Sequence, residues 1–317
     1  MTPRPRPRVL PALWLLLAAG CASSPDAPLR GDRLVEAPAA ATDCIVVAGR
    51  RVPIGTRVVT WDEPGGYSAY RLGKHFDRSG GLDGEARYGQ RPGDPQTLAA
   101  LRECVHQFVV HYDVCGTSRQ CFKVLQDLRN LSVHFMVDVD GTIYQTLDLK
   151  ERAWHATVAN DAAVGVEVAH PGAWRSPLNA DMRRWYERDN DGWRMKFPAW
   201  MKETGVRTSG FVPRPDRPEF VSGEVQGSVY HQFDFTPEQY AALARLVAGL
   251  NKALPRIRLR APRGPDGAVV NRALDRADLR AFDGVVGHFH VQTNKQDPGP
   301  AFQWDRVLDE ARRLRGR

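Results

Sequence analysis

Cysteine is scarce in this chain, with five residues in 317 and no CxxC pair among them. A cysteine-built zinc site usually shows that pair, so its absence turns the search for metal ligands toward other residue types. The apolar run from Val9 to Gly20 is too short for the roughly 20 residues a membrane-spanning helix needs. There is no arginine-rich helix and no interleaved aromatic motif of the kind that grips nucleic acid. The net charge is nonetheless +7, which fits an anionic partner. Nucleic acid, an anionic membrane and an anionic cell-wall polymer would all satisfy that charge. Many of the arginines sit in the leader and in Arg256–Arg280, a stretch that reads as solvated loop. What the chain does have is a globular composition, 42% hydrophobic and 26% charged, enough to bury a core.

The first residues read as an export signal, with Arg4, Arg6 and Arg8 ahead of the short apolar run. The run closes on Leu17-Ala18-Ala19-Gly20-Cys21, which resembles a bacterial lipoprotein cleavage box with Cys21 as the lipidated first mature residue. The alternative is an ordinary secreted protein with a cysteine at that place. Residues 1–20 are then a signal peptide and 21–42 a disordered Ser/Pro/Ala-rich tether. The mature protein is expected on a membrane, held by lipid, at the periplasmic face and in the outer membrane as one option. Setting Cys21 aside leaves Cys44, Cys104, Cys115 and Cys121, an even count that suggests disulfides in an exported protein. Cys115 and Cys121 flank a polar turn and are the first expected pair, with Cys44 and Cys104 as the remainder.

Cys44–Trp61 reads as a β-hairpin pairing Cys44-Ile-Val-Val-Ala with Arg57-Val-Val-Thr-Trp, inside an N-terminal extension of residues 43–96. Thr97–Glu103 reads as a short helix. The continuous apolar run Gln107–Tyr112 predicts a strand buried on both faces, with His111 emerging at its end. Gln120–Asn130 has Phe122, Leu125 and Leu128 at helical spacing. Ser132–Asp138 and Thr142–Leu147 flank the turn signal Asp140-Gly141, and Ala163–Ala169 is a further strand that turns Glu167 away from Val166 and Val168. Residues 172–230 read as an insertion with one or two short helices, whose tryptophans pack its core or stack on a sugar. Thr236-Pro237 opens an amphipathic helix through Leu250. Ile257-Arg-Leu reads as a short strand and Phe302–Leu314 as a last helix. The order implies an α/β domain over 97–317 with a mixed sheet flanked by helices.

Near the end lies Gly287–Trp304, GHFHVQTNKQDPGPAFQW, which packs His288, His290, Lys295 and Asp297 into a Gly/Pro-rich loop behind an apolar strand. Imidazole and carboxylate are good zinc ligands, and a catalytic zinc takes three protein ligands and leaves one position open.

His111 in FVVHY, the SVHFMVDVDGTIYQ hairpin, AWHA at 153–156, VGVEV around Glu167 and GHFHVQTNKQDPGPAFQW together resemble the zinc-dependent N-acetylmuramoyl-L-alanine amidases of the amidase-2 type. These are relatives of the peptidoglycan recognition proteins. The resemblance covers roughly 105–172 and 232–312. It implies zinc ligands at His111, His288 and Asp297, an acid/base at Glu167 and a cationic stabiliser at Lys295. It leaves His155 and His134 as cleft-lining, substrate-contacting candidates, and His290 as a supporting or surface residue. The Cys115–Cys121 segment is similar to the disulfide loop of the recognition proteins. The implied protein is a monomeric amidase that cuts peptidoglycan or muropeptides in cell-wall turnover or recycling. A peptidoglycan-binding lipoprotein without catalysis, and a zinc hydrolase of another amide, are the rivals.

Overall fold

The computed structural model describes residues 42–77 and 84–316; the expected leader, Cys21 and the tether up to residue 41 lie outside the described residues. The chain begins with β1 (Cys44–Val47) and β2 (Arg50–Pro53), joined antiparallel through Ala48 and Gly49. Both turn residues have positive φ, 50° and 74°, the conformation a tight two-residue hairpin requires. The apolar pattern predicts pairing of β1 with the next run instead. That run is β3 (Val58–Thr60), and it lies parallel to a later strand at the edge of the main sheet. The N-terminal extension is therefore part of the sheet and of the core around it.

After β4 (Tyr88–Gln90), α1 (Leu98–Cys104) starts on Thr97, whose side chain accepts from the Ala100 N–H as an N-cap. Then come β5 (Gln107–Tyr112) and α2 (Ser118–Phe122). α2 runs directly into a π-helical segment, Lys123–Arg129. The wider turn of that segment leaves Leu128 exposed, so the expected Phe122/Leu125/Leu128 stripe loses its third member. β6 (Phe135–Val137) and β7 (Ile143–Gln145) form the expected hairpin, followed by β8 (Glu151–Ala153) and β9 (Ala163–Val168).

The insertion holds α3 (Ala180–Trp185) and two hairpins that the sequence reading lacked: β10 (Tyr186–Asp189) with β11 (Gly192–Met195), and β12 (Val221–Val225) with β13 (Ser228–Gln232). Trp174, Trp185 and Trp193 join Tyr186, Met195 and Phe233 in a small core of its own, while Trp200 stays 57% exposed. α4 (Pro237–Ala253) opens on the full Thr236/Gln239 capping box. Residues 257–259, expected as a strand, are held by local bonds in which each of the Arg258 and Arg260 N–H groups donates to the carbonyl two residues back. The chain ends with α5 (Arg276–Ala281), β14 (Gly284–Gly287), α6 (His288–Val291) and α7 (Trp304–Arg315).

The six-stranded sheet has the order β14-β5-β9-β6-β7-β3. It is mixed: only the β6–β7 pair is antiparallel. Alternation along the strands divides their side chains between two faces. Phe108, Val110 and Tyr112 of β5 and Val164, Val166 and Val168 of β9 join Leu243, Leu246 and Leu250 of α4 and Val307 and Leu308 of α7 in one large core. The intervening residues face the other way. They include Val109, His111, Gly165 and Glu167, so the same alternation that builds the core lifts a histidine and a glutamate onto the opposite face.

Candidate metal centre

β5 is second in the sheet, buried along its whole length and flanked by parallel β14 and β9. Its parallel register with β9 sets His111 directly beside Glu167. Its register with β14 pairs Val110 with Gly287, so the next residue, His288, leaves the strand beside His111. Two glycines make room around these side chains. A Cβ on Gly287 would come within 2.7 Å of the Pro298 ring, and one on Gly165 within 2.5 Å of the His155 ring.

Three side-chain atoms meet there. His111 Nδ1 lies 2.9 Å from His288 Nδ1 and 3.0 Å from Asp297 Oδ2, and His288 Nδ1 lies 2.9 Å from the same oxygen. All three residues are buried. Among the described residues this is the one group of three or more His, Cys, Asp or Glu side chains whose ligand atoms converge. Two imidazole nitrogens and a carboxylate oxygen form a donor set suited to a catalytic zinc. The outer ring nitrogens fit that role as well. His288 Nε2 is 2.8 Å from Gln292 Oε1, an atom that only accepts, so the ring donates from Nε2 and turns a bare Nδ1 toward the centre. His111 Nε2 is 3.0 Å from His155 Nδ1.

The electrostatics keep the ligands in their metal-binding forms. Burial, reinforced by His288, pushes the His111 imidazole down to about 4, so it is neutral at pH 7. Burial would raise the Asp297 carboxyl, but the neighbouring His288 and His111 rings outweigh it and hold the group well below the usual carboxylate range. Glu167 is moved the other way. Burial first, then Asp297 and Asp113, push its carboxyl well above the ordinary value, with Lys295 partly opposing them. Its Oε2 has no hydrogen-bond partner. A carboxyl with raised proton affinity and a free oxygen suits proton transfer.

The remaining expected residues divide. Lys295 is half-buried and close enough that its charge lowers both Glu167 and His111. His155 is half-buried in contact with His111, and its Nε2 lacks a partner. Its backbone N–H and that of Ala156 both donate to Asn160 Oδ1. His134 is wholly buried; the Gly165 N–H donates to its Nδ1, and its Nε2 meets the Glu151 carbonyl. It stands outside the three-ligand group and presents no exposed surface. His290 is likewise buried, accepting from the Gly287 N–H and reaching the Val270 carbonyl, so it braces the turn that delivers His288.

The expected Cys115–Cys121 and Cys44–Cys104 disulfides find no support in the structure, which has no S–S bond among these four residues. Cys121 is buried, while Cys44 Sγ turns to Asp43 and Cys104 Sγ to the Leu101 carbonyl.

Gln292 and Asp113 were not singled out from sequence. The four-residue step from His288 to Gln292 was the available signal for the first, since it brings the two side chains to one side of a helical turn. Asp113 Oδ1 accepts from the Cys115, Gly116 and His170 N–H groups and pins the loop that follows His111.

Residues 101–191 match the family model described as N-acetylmuramoyl-L-alanine amidase. The match includes His111, His155 and Glu167 and ends before His288, Lys295 and Asp297. No curated protein gives a significant match to the chain. Among solved structures it is similar to a selenomethionine derivative of AmpD (18% identity, TM-score 0.34), over 71% of this chain and 89% of that one. It is similar to AmiD from E. coli in complex with the substrate anhydro-N-acetylmuramic acid-L-Ala-D-gamma-Glu-L-Lys (18% identity, TM-score 0.37), over 65% of this chain and 57% of that one. It is also similar to the endolysin amidase LysCS from Clostridium intestinale (12% identity, TM-score 0.37), over 81% and 95%. The similarity to the N-acetylmuramoyl-L-alanine amidase family model is thus carried by residues 101–191.

Proposed function

We propose that the protein hydrolyses the amide bond between N-acetylmuramic acid and L-alanine in peptidoglycan or its fragments, with zinc at the His111–His288–Asp297 centre. The observation that carries this is the meeting of three ligand atoms beside Glu167, on the sheet face opposite the large hydrophobic core. Zinc held there would supply Lewis acidity and make water acidic enough to furnish hydroxide near neutral pH. Glu167, whose Oε2 has no other partner, would take a proton from the attacking water and pass it to the departing alanine nitrogen, so that one carboxyl serves as base and then as acid. The Lys295 ammonium faces the charge that develops on the amide oxygen and stabilises it electrostatically. The products are a glycan with a free lactyl carboxylate and a peptide that begins with L-alanine.

The test is digestion of defined muropeptides with the cut bond identified by mass. The expected result is release of the L-alanine peptide, lost with a chelator and restored by zinc. Binding to peptidoglycan without cleavage would replace this reading with that of a non-catalytic binding protein. Cleavage of a different amide would keep the metal chemistry and change the substrate. We also propose a lipid anchor at Cys21 that holds the enzyme at the periplasmic face; radiolabelled palmitate should enter the wild-type protein and not Cys21→Ser.

A further inference from the structure

We propose that the hairpin formed by β12 and β13, at the end of the 172–230 insertion, is a positioning clamp for the metal centre, and that Gln226 is its key residue. This rests on the metal-dependent reading above. Gln226 sits at the tip of the hairpin, and its side chain reaches the loop that carries His288, Lys295 and Asp297. Its Nε2 lies 2.8 Å from the Phe289 carbonyl, 2.9 Å from that of Gln292 and 3.3 Å from that of Lys295. Its Oε1 accepts from the Ala273 N–H at 3.1 Å, and its own N–H donates to the Asn271 carbonyl. Three carbonyls on one side of the amide and one N–H on the other fix its orientation. One link goes straight to the metal centre: Gln226 holds the backbone of Gln292, and the Gln292 side chain holds His288 Nε2.

The far end of the same hairpin grips the other side of the loop. Gln232 donates to the Pro298 carbonyl and accepts from the Ala301 N–H, both at 3.0 Å. Gly299, at φ 87°, and Gly223 allow the contact; a Cβ on the first would come within 2.2 Å of the Gln232 amide, and one on the second within 2.8 Å of Pro300. Asp297 lies between the two grips.

The residue type at the tip argues for a role beyond turn formation. Gln226 and Gly227 have φ of 53° and 71°, the pattern of a two-residue turn with both φ positive. Asn-Gly is the favoured pair in such a turn, and a glutamine at its first position gives up local stability. The additional methylene gives the amide its reach to the loop carbonyls. A residue that breaks a local preference in this way marks a functional constraint.

The decisive variant is therefore Gln226→Asn, which suits the turn better but withdraws the amide from the loop. Gln226→Met, of similar length and without hydrogen bonds, is its companion. The readouts are melting temperature, zinc affinity by chelator competition, hydrogen exchange of the metal-free protein at Ala273 and Lys295, and kcat and KM on a muropeptide. We expect Gln226→Asn to keep or raise the melting temperature, to weaken zinc binding and lower kcat by about 10-fold or more with KM little changed, and to speed exchange at both amides. Gln226→Met should share the losses in affinity and kcat. Wild-type zinc affinity in either folded variant would overturn the clamp, as would unchanged exchange at both amides, and the exchange test holds whether or not the wild type proves to be an amidase. A wild type that binds no zinc, or fails to cut muropeptides, would overturn the proposed function instead.

Discussion

The protein buries two sets of histidines, and they differ in where their ring nitrogens point. His134, His170 and His290 each satisfy both nitrogens, mostly on backbone groups. His134 bridges Gly165 and Glu151, His170 bridges Gly172 and Phe233, and His290 bridges Gly287 and Val270. His111 and His288 instead turn Nδ1 toward each other and toward Asp297. Burial lowers the proton affinity of His111, His134, His170 and His290 alike, so desolvation does not separate the sets. The difference is complementarity. One set completes the backbone hydrogen bonds of its surroundings, and the other turns its nitrogens onto one another and onto a carboxylate, a donor set that fits a metal ion.

The largest effects should come from the set that converges on Asp297. His111→Ala should abolish muropeptide cleavage and stoichiometric zinc binding. Glu167→Gln should keep the metal and lower kcat by about 10²–10⁴-fold. Zinc content and initial rates on one preparation check both, and a His111 variant that holds zinc at wild-type affinity would break the comparison.

Stability should show the reverse order. Removing His134 leaves the Gly165 N–H and the Glu151 carbonyl buried without partners, so His134→Leu should cost about 2–3 kcal/mol. In metal-free protein His111→Leu should cost less, because it relieves the close approach of the His111 and His288 Nδ1 atoms, 2.9 Å apart. Denaturant unfolding of the two metal-free variants measures this. A greater loss for His111→Leu would show that the site is structural.

The smallest effect concerns pH. The folded values of His134 and His170, about 3 and 4, lie below the ordinary 6.5 because burial disfavours the charged ring. The unfolded chain then binds more protons, so their contribution is fully present above about pH 6.5 and is lost as the pH falls toward those folded values. Asp138 has the opposite sign. Burial raises it to about 8, so the native state keeps the proton, and its contribution is lost as the pH rises from about 4 to 8. Its Oδ2 has no partner, and Asp138→Asn keeps the acceptor used by the Val139 N–H. That variant should match the wild type near pH 4 and melt higher at pH 9, by about 2–4 °C for each kcal/mol recovered. Parallel melting curves against pH would contradict this.

Much of the site was legible because the signals were local or strictly periodic. The apolar run of β5 ended at His111, the alternation of β9 turned Glu167 outward, and the capping box at Thr236 fixed the start of α4. The resemblance of Gly287–Trp304 to one family then tied the distant ligands together. What stayed hidden depended on non-local choices. The β3 run could pair with β1 or with the main sheet, and only the tight Ala48-Gly49 turn decided for β2 as the partner of β1. The insertion hairpins are short, half-exposed and charge-rich, so they lack a clean period. The links made by Gln226 and Gln232 cross some 60 to 70 residues, and nothing in a lone glutamine announces such a contact.

The most direct measurement is zinc K-edge X-ray absorption on the stoichiometrically loaded wild-type protein, with Asp297→Ala as its partner. One zinc per chain in a shell of nitrogen and oxygen only, with two imidazoles, and weakened loading in Asp297→Ala, is the expected result. Sulfur in the shell, pointing to Cys115 or Cys121, or undiminished loading without Asp297, would contradict a centre built from His111, His288 and Asp297.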